Sequence, residues 1–176
     1  NESNCGVTAS FMKGLEAAKG EIIIFSDQDD FWFSNKILRI EEAFLLNKSA
    51  LLLAHGAVDT DGFIIKPRVR KGELFQLGCC LAVRKEIKKN ILKFYHQLSQ
   101  EVRADVGHDR VICSYAAAKG RYVILRDCLI VYRQHSTNNS TRKKRLGSVI
   151  AKSTRIRKNL DFYSQLVGYS HRIWPW

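Results

Sequence analysis

The chain has 176 residues, of which 26% are charged and 45% are hydrophobic, and its net charge at pH 7 is +12. This composition excludes a disordered chain, and because no run of about 18 apolar residues and no apolar leader occurs, neither a transmembrane helix nor a signal peptide is expected. The five cysteines are odd in number and include no Cys-x-x-Cys pair, which favours buried thiols in a reducing cytoplasm over a disulfide framework or a zinc site.

The chain begins with a predicted helix and a short apolar strand. Apolar residues recur every three or four positions over residues 7 to 19, which predicts an amphipathic helix with Gly20 as its C-cap. Residues 21 to 26 contain an apolar run that predicts a buried strand of an α/β sheet. Open α/β sheets bind ligands beyond the carboxyl ends of their strands, so the residues after this run are candidates for a site.

Three acidic residues follow this strand within four positions, namely Asp27, Asp29 and Asp30. Carboxylates packed together repel one another unless a cation or solvent relieves them, and Mg²⁺ and Mn²⁺ prefer oxygen ligands. The acidic turn therefore predicts a metal-assisted site for a phosphate-bearing ligand. The alternative interpretation is a solvated acidic turn that precedes a helix.

A second helix and a second strand are predicted after the acidic turn. Ser34 is a candidate N-cap for a helix that places Ile37, Ile40 and Phe44 on one face. Residues 51 to 54 form another apolar run and predict a strand.

The central part of the chain combines a turn, a loop and two helices. A turn signal in residues 59 to 62 is followed by a strand over residues 63 to 65. The basic residues 66 to 73 are predicted to form a loop. Apolar periodicity predicts helices over residues 85 to 98, with Ile87, Ile91 and Leu98 in the apolar stripe, and over residues 109 to 119.

The last predicted elements are two strands and a basic helix. Gly120 ends the preceding helix, and strands are expected over residues 122 to 125 and 129 to 132. Residues 136 to 141 read as a loop, and a helix is predicted over about residues 146 to 167.

The C-terminal part of the chain is strongly basic, because residues 136 to 176 carry nine Lys or Arg and one acid. Apolar residues alternate with these cations, and a basic amphipathic helix over residues 142 to 167 suits an anionic membrane surface. The alternative is a helix that packs on the domain with its basic side in water. Nucleic acid is not expected as a partner, because the cations are not interleaved with exposed aromatics and no recognised binding motif occurs.

Four groups of motifs, in this order and at these separations, resemble the family 2 glycosyltransferases of the GT-A fold, particularly the bacterial branch that includes rhamnosyltransferases. The first group comprises residues 4–6 and 18–22, and the second comprises residues 27–32 and 35–37. The third is residues 78–84, and the fourth comprises residues 107–110, 118–121 and 132–135. The resemblance implies an α/β fold with a GT-A-like, Rossmann-like mixed sheet flanked by helices. It also implies an inverting, metal-dependent transfer of a sugar from a nucleoside-diphosphate donor to a saccharide or lipid-linked acceptor, in surface polysaccharide synthesis. The enzyme is expected in the cytoplasm, with peripheral contact to the inner face of the membrane.

Two departures from the family pattern shape the predicted domain organisation. The family's first strand, with the acid that contacts the nucleotide base, has no counterpart here, so we expect an N-terminally truncated GT-A domain over residues 1 to 140. A basic helical extension over residues 141 to 176 follows it. The link between residues 62 and 78 is short and basic, which predicts a trimmed acceptor side. The alternative function is a non-catalytic or partner-dependent fragment of such a transferase.

The resemblance assigns Asp27 and Asp29 to the two acids of an Asp-x-Asp motif. In such enzymes this motif contacts the ribose and holds Mg²⁺ or Mn²⁺ against the diphosphate, which neutralises the leaving group. Asp29 is the expected direct metal ligand, and Asp30 either assists or caps the next turn.

The same resemblance assigns roles to residues near the C-terminal end of the domain. Asp109 is the expected catalytic base, since direct displacement needs a carboxylate that takes the acceptor's proton; the alternative is a helix cap. His108 is expected to orient the acceptor or to pack. His135 is expected to complete the metal site, and Arg133 to pair with phosphate, although a histidine at a strand end is often structural.

Three further residues are expected to bind substrate. Gly78 and Arg84 resemble the segment that faces donor and acceptor, with an ordinary turn as the alternative for Gly78. Trp32 is expected to line the sugar pocket, with a core position as the alternative.

Overall fold

The structure is a computed structural model, and it describes residues 5–70 and 72–133. The helices are α1 (Val7–Ala17), α2 (Lys36–Leu46), α3 (Lys88–Gln97), α4 (Gln100–Asp105) and α5 (His108–Ala118). The strands are β1 (Ile22–Ile24), β2 (Phe31–Trp32), β3 (Leu52–Asp59), β4 (Ile64–Ile65), β5 (Arg68–Arg70), β6 (Glu73–Phe75), β7 (Leu81–Arg84) and β8 (Tyr122–Tyr132). Short 3₁₀ turns precede β7 and α3.

The main sheet contains six strands in the order β1-β7-β3-β8-β2, and β4 pairs with the end of β3. Strands β3 and β8 run parallel, and the other pairs in this sheet are antiparallel. The central strand β3 is buried along almost its whole length, as expected for a strand covered on both faces. The predicted α/β class with a mixed sheet flanked by helices is confirmed.

Two layers of helix cover the two faces of this sheet. Helices α1, α3 and α5 pack together, and their apolar stripes meet side chains such as Leu52 and Leu81 in the larger core cluster. Helix α2 covers the other face, where Ile40 and Phe44 pack on Leu53. Alternate residues of one strand thus enter different cores, because successive side chains point to opposite faces. Burial of these apolar surfaces is the main term that stabilises the fold.

Several predicted elements are confirmed, although their ends differ. The helices expected at residues 7 to 19, 85 to 98 and 109 to 119 correspond to α1, α3 and α5. Gly120 has φ +61° and follows α5 as predicted. The strand at residues 51 to 54 is longer than expected and continues to Asp59.

Both cap predictions in the N-terminal half are wrong. Helix α1 ends at Ala17, where the Ala18 N–H donates to the Gly14 carbonyl, so Gly20 does not cap it. Helix α2 has Asn35 rather than Ser34 at its N-cap position, with no side-chain cap bond.

The apolar face of α2 is also shifted from the prediction. Ile37 is 49% exposed, whereas Lys36 is fully buried in line with Ile40 and Phe44. A buried lysine on the apolar side of a helix is uncommon, because lysine is almost never fully buried unless it is paired.

The basic segment after residue 65 is a hairpin rather than the predicted loop. Strands β5 and β6 pair in the register Arg68↔Phe75 and Arg70↔Glu73, and Gly72 at φ +77° lies in the connection. Leu74 is buried in the larger core cluster and anchors the hairpin, which explains why a charged segment is ordered as a sheet.

Two further differences concern the C-terminal half. The two strands expected over residues 122 to 125 and 129 to 132 form one strand, β8, whose register against β3 shifts near Gly56 and absorbs the polar interruption. Helix α4 was not predicted, and Ser99 caps it by accepting the Val102 N–H at 3.4 Å.

The predicted loop at residues 136 to 141 and the basic helix at about residues 146 to 167 lie outside the described residues. Within residues 5–70 and 72–133, no helix is both long enough and apolar enough to cross a bilayer.

Candidate active site

A cavity of about 1220 Å³ opens beside the acidic turn that follows β1. Its walls come from this turn, the start of α1, helix α4, the start of α5 and the 3₁₀ turn at Gly78. The lining carries four carboxylates and one arginine: Asp27, Asp29, Asp105, Asp109 and Arg103. We call this space the acidic cavity, and its excess of negative charge favours a cationic ligand.

Asp27 is the acid whose environment resists ionisation most clearly. Partial burial raises the pKa of its carboxyl, and the charges of Asp30, Asp29 and Asp109 raise it further, whereas a hydrogen bond from the Cys79 thiol opposes this. The charge of Asp109 thus acts on Asp27, although the two residues are 82 positions apart in the sequence. A cation in the acidic cavity would relieve these repulsions.

Asp30 ties the acidic turn to the end of the sheet. One carboxylate oxygen, Oδ1, accepts the Arg133 backbone N–H at 3.1 Å. The other, Oδ2, is buried and has no hydrogen-bond partner among the described residues. A ligand oxygen of Asp30, one of Asp27 and the sulfur of Cys79 all lie within 4.8 Å of one another.

The chemistry of this group fits a hard divalent ion held by oxygen atoms. The hydrogen bond with Cys80, burial, and the nearby charges of Cys80, Asp30 and Asp27 raise the pKa of Cys79, so its thiol stays protonated and donates to Asp27. Only a thiolate binds metals well, so the carboxylates are the available ligands. Asp29 lines the same cavity. The residues present therefore fit Mg²⁺ or Mn²⁺.

Lys36 lies beneath the acidic turn, and sequence reasoning did not identify it as a site residue. Its side chain is fully buried, its Nζ donates to the Cys79 carbonyl at 3.3 Å, and the same atom lies 4.0 Å from the Trp32 ring centre. Burial lowers the pKa of Lys36 to about 8, against the nearby negative groups that include Asp30 and Asp27. The sequence feature that could have identified Lys36 is its position on the apolar stripe of α2, one turn before Ile40.

Asp109 lies in the first turn of α5, where the helix dipole favours a carboxylate. The N-cap is Gly107, so Asp109 does not occupy the cap position that was the alternative interpretation. Its Oδ1 accepts the Arg110 N–H at 2.8 Å and folds back over Gly107, where an added Cβ would lie only 2.3 Å from that oxygen. A glycine at 107 therefore gives the carboxylate room.

His108 forms an apolar part of the cavity wall rather than an exposed polar one. Its ring stacks on Phe11 with 3.7 Å between ring centres, and burial lowers the pKa of the imidazole. Nε2 has no hydrogen-bond partner among the described residues. A Cβ at Gly78 would lie 2.0 Å from this atom, so glycine is required where the ring rests on the backbone.

Comparison with known proteins identifies the family. The family model described as "Glycosyl transferase family 2" matches residues 1–121, a span that contains the acidic turn and Asp109. The chain belongs to glycosyltransferase family 2. This confirms the family expected from the motifs, whereas no comparison tests the rhamnosyltransferase branch.

Two known proteins are similar to this family 2 chain, one in sequence and one in fold. An uncharacterized glycosyltransferase of Nostoc sp. (strain PCC 7120) is 26% identical over an alignment of 156 residues that covers 78% of this chain and 47% of the relative. The crystal structure of S. aureus TarS 1–349 in complex with UDP-GlcNAc resembles the fold with a TM-score of 0.54 and 14% identity, covering 76% of this chain and 40% of that one. The chain thus spans about half the length of the relatives it matches.

Not all predicted site residues of this family 2 chain lie in the acidic cavity. Asp27, Asp29, Gly78, His108 and Asp109 line it together. His135 lies outside the described residues, so its role as a metal ligand stays a prediction.

The remaining four predicted site residues are not part of the cavity lining, and among them Asp30 lies in the acidic turn with a ligand oxygen within 4.8 Å of one of Asp27. The guanidinium of Arg84 donates to the carbonyls of Phe44 and Ala50, which ties β7 to α2, and its role in substrate binding stays a prediction. Trp32 is 41% exposed on β2, so it is neither in the cavity nor in the core. Arg133 contributes its backbone N–H to Asp30, and its guanidinium lies 5.7 Å from the Phe31 ring.

Proposed function

We propose that this chain carries the catalytic centre of an inverting, divalent-metal-dependent glycosyltransferase that uses a nucleoside-diphosphate sugar. The observation that supports this most directly is that Asp109 and the acidic turn face one cavity, close enough for their charges to interact. Direct displacement at a sugar needs these two functions, a base and a site for the leaving diphosphate, within one space.

The proposed reaction follows from the chain's own residues. Asp109 takes the proton of an acceptor hydroxyl as its oxygen attacks the anomeric carbon, and the diphosphate leaves on the opposite side towards Asp27 and Asp29. Attack opposite to the leaving group inverts the anomeric centre. Mg²⁺ or Mn²⁺, held by carboxylate oxygens of Asp27, Asp29 and Asp30, supplies charge neutralisation for the diphosphate when bound. His108 and Gly78 shape the wall between these groups.

The observations support only the chemical class of the donor substrate. TarS was crystallised with UDP-GlcNAc, which supports a nucleotide sugar as the donor here. Rhamnose as the sugar, a lipid-linked acceptor and a role in surface polysaccharide synthesis stay predictions from the motif resemblance. Contact with an anionic membrane also stays a prediction, because the basic residues 142 to 167 lie outside the described part of the chain.

The test is thermal stability of the full chain with Mn²⁺ and UDP. A ligand at one hundred times its Kd stabilises the native state by about 2.7 kcal/mol, which is readily detected as a rise in Tm. We expect this rise in the wild type, and we expect Asp29→Asn to lose it while remaining folded. Asp61→Asn is the matched control, since Asp61 is exposed in the turn between β3 and β4.

Further arms of the same experiment separate the outcomes. UDP with EDTA and Mn²⁺ without UDP should each give a smaller rise than the two together. A folded wild type whose Tm does not respond to the pair would contradict the proposal and favour the non-catalytic or partner-dependent alternative. An equal rise in Asp29→Asn would remove that residue from the site.

A further inference from the structure

A second cavity, of about 370 Å³, lies next to the acidic cavity, and the two share Leu77 and Asp109 in their linings. The β5–β6 hairpin and the start of α5 form most of its wall. The carboxylate proposed to deprotonate the acceptor thus stands at the boundary between two spaces. The acidic cavity suits the donor, so the acceptor must approach Asp109 from elsewhere, and the second cavity offers that approach.

The second cavity has the opposite charge balance to the first. Its lining contains three cationic side chains, Lys66, Arg68 and Arg110, with Asp109 as its one carboxylate. We call it the basic cavity. Cavity walls of one sign concentrate ligands of the other sign, so the basic cavity favours an anion directly, whereas the acidic cavity would accept one only together with a bound cation.

The geometry around Phe75 shows how the cations are arranged. The Arg110 guanidinium lies 5.0 Å from the Phe75 ring centre and 3.9 Å from the Glu73 carboxylate, and its side chain is half-buried. Arg68 is the cross-strand partner of Phe75, so it is held in register beside the same ring. Two planar donors therefore border an aromatic surface that can contact the apolar face of a sugar.

We propose that the basic cavity is the acceptor subsite and that the acceptor is a saccharide carrying an anionic group, phosphate or carboxylate, near its reactive hydroxyl. This rests on the proposed function. The anion binds the cations of the hairpin and of α5, and this places the hydroxyl against Asp109. The hydroxyl proton passes to the Asp109 carboxylate, the oxygen–carbon bond forms at the anomeric centre, and the nucleoside diphosphate leaves with the electrons of the broken bond.

The test compares binding of glucose 6-phosphate, glucuronate and methyl glucoside to the full chain in EDTA by saturation-transfer NMR. We expect the two anionic probes to bind and the neutral probe to bind at least about tenfold more weakly, since charged hydrogen bonds are the stronger ones. The stronger of the two anionic probes identifies the anion as phosphate or carboxylate.

The hairpin supplies a matched pair of variants. Arg68→Gln should weaken glucose 6-phosphate binding about threefold, and the double variant Lys66→Gln/Arg68→Gln about tenfold, as expected for partly exposed ion pairs. Arg70→Gln removes the same charge from the same strand, but Arg70 does not line the cavity. The affinity of the Arg70→Gln variant for glucose 6-phosphate should equal that of the wild type.

Three outcomes would overturn the inference. Equal binding of methyl glucoside and glucose 6-phosphate would remove the anionic subsite. Equal losses of affinity for glucose 6-phosphate in Arg68→Gln and Arg70→Gln would mean that a basic surface attracts the phosphate without a defined subsite. Phosphate binding without any metal-dependent stabilisation by UDP would contradict the proposed function, and the cavity would then be an anion site rather than an acceptor site. UDP stabilisation without phosphate discrimination would overturn only this inference.

Discussion

The acidic and basic cavities meet at Asp109 but are built on different parts of the fold. The acidic turn follows a strand of the main sheet, the Cys79 thiol donates to Asp27 in this turn, and the buried Lys36 amine donates to the Cys79 carbonyl. The basic cavity is formed largely by a two-stranded hairpin outside that sheet, anchored by Leu74. The comparison teaches that the acidic cavity is built on the main sheet, whereas the basic cavity depends on a hairpin that Leu74 attaches to the core.

The largest effect is expected at the residue that the two cavities share. Asp109→Asn keeps the shape of the side chain but removes the base, so sugar transfer should fall by about 10² to 10⁴-fold. Release of UDP from a UDP-sugar with Mn²⁺ measures this, with water or a saccharide as acceptor. Metal-dependent stabilisation by UDP should persist in the variant.

Asp105 offers a matched control for that variant, because it is another carboxylate in the acidic cavity lining. Asp105→Asn removes the same charge without touching the proposed base, and it should reduce turnover by only a few-fold. An equal loss in both variants would mean that the charge of the cavity, rather than a base at Asp109, supports the reaction.

A large effect on stability is expected at Lys36, which distinguishes the core-built cavity from the hairpin. Lys36→Met leaves the Cys79 carbonyl without its donor and removes a buried cation beneath the acids. A buried carbonyl that loses its hydrogen-bond donor costs about 1 to 3 kcal/mol in free energy of unfolding. Denaturant unfolding of the variant measures this.

The control for Lys36 is Lys48→Met, because Lys48 is exposed just after α2. Such surface changes alter the free energy of unfolding by only about 0.5 kcal/mol. If Lys36→Met were as stable as Lys48→Met, the buried amine would not hold the acidic turn in place.

Lys36 also shows why sequence reasoning reached the site only in part. Periodicity and turn signals predicted α1, α3, α5 and the central strand, because these elements bury a regular apolar stripe. The motifs likewise directed attention to Asp27, Asp29 and Asp109, which share one cavity.

What the sequence missed depends on contacts between distant segments. Lys36 donates to a carbonyl 43 positions away, and Arg84 donates to carbonyls near the end of α2. The β5–β6 hairpin is ordered by Leu74 in the core and not by any strong strand signal in its basic sequence. None of these partners is adjacent in the chain.

A smaller effect on the free energy of unfolding is expected when the charge of Asp27 is removed, because the other acids of the acidic cavity repel this carboxylate. Asp27→Asn should raise the free energy of unfolding in EDTA by about 1 kcal/mol, as is common when a functional strain is relieved. Burial and the neighbouring acids raise the folded-state pKa of Asp27, so the carboxyl stabilises the fold only while protonated. This contribution to the free energy of unfolding is lost as the pH rises through the folded-state pKa of Asp27.

The advantage of Asp27→Asn should therefore be present at pH 7 and disappear below the unfolded carboxyl's pKa of about 3.9. Mn²⁺ with UDP should stabilise the wild type and not the variant, which reverses their order. A variant less stable than the wild type in EDTA at pH 7 would show that Asp27 is not strained by its neighbours.

The smallest effect is expected at His108, where the wall of the acidic cavity is apolar. Burial lowers the folded-state pKa of this imidazole, so the unfolded chain binds its proton more readily. The neutral ring contributes stability above the unfolded value of about 6.5, and this contribution is lost as the pH falls towards the folded value. Between pH 7 and 5.5 the wild type should lose about 1 kcal/mol that His108→Gln does not lose.

His96→Gln is the matched substitution, because His96 is exposed on α3 and its ring contacts Tyr95 rather than the cavity wall. Glucose 6-phosphate should not change the His108 contribution, since the ring lines the acidic cavity and not the basic one. A His108→Gln variant with the full wild-type pH dependence would assign the titration to another group and would leave the stacked ring with a packing role alone.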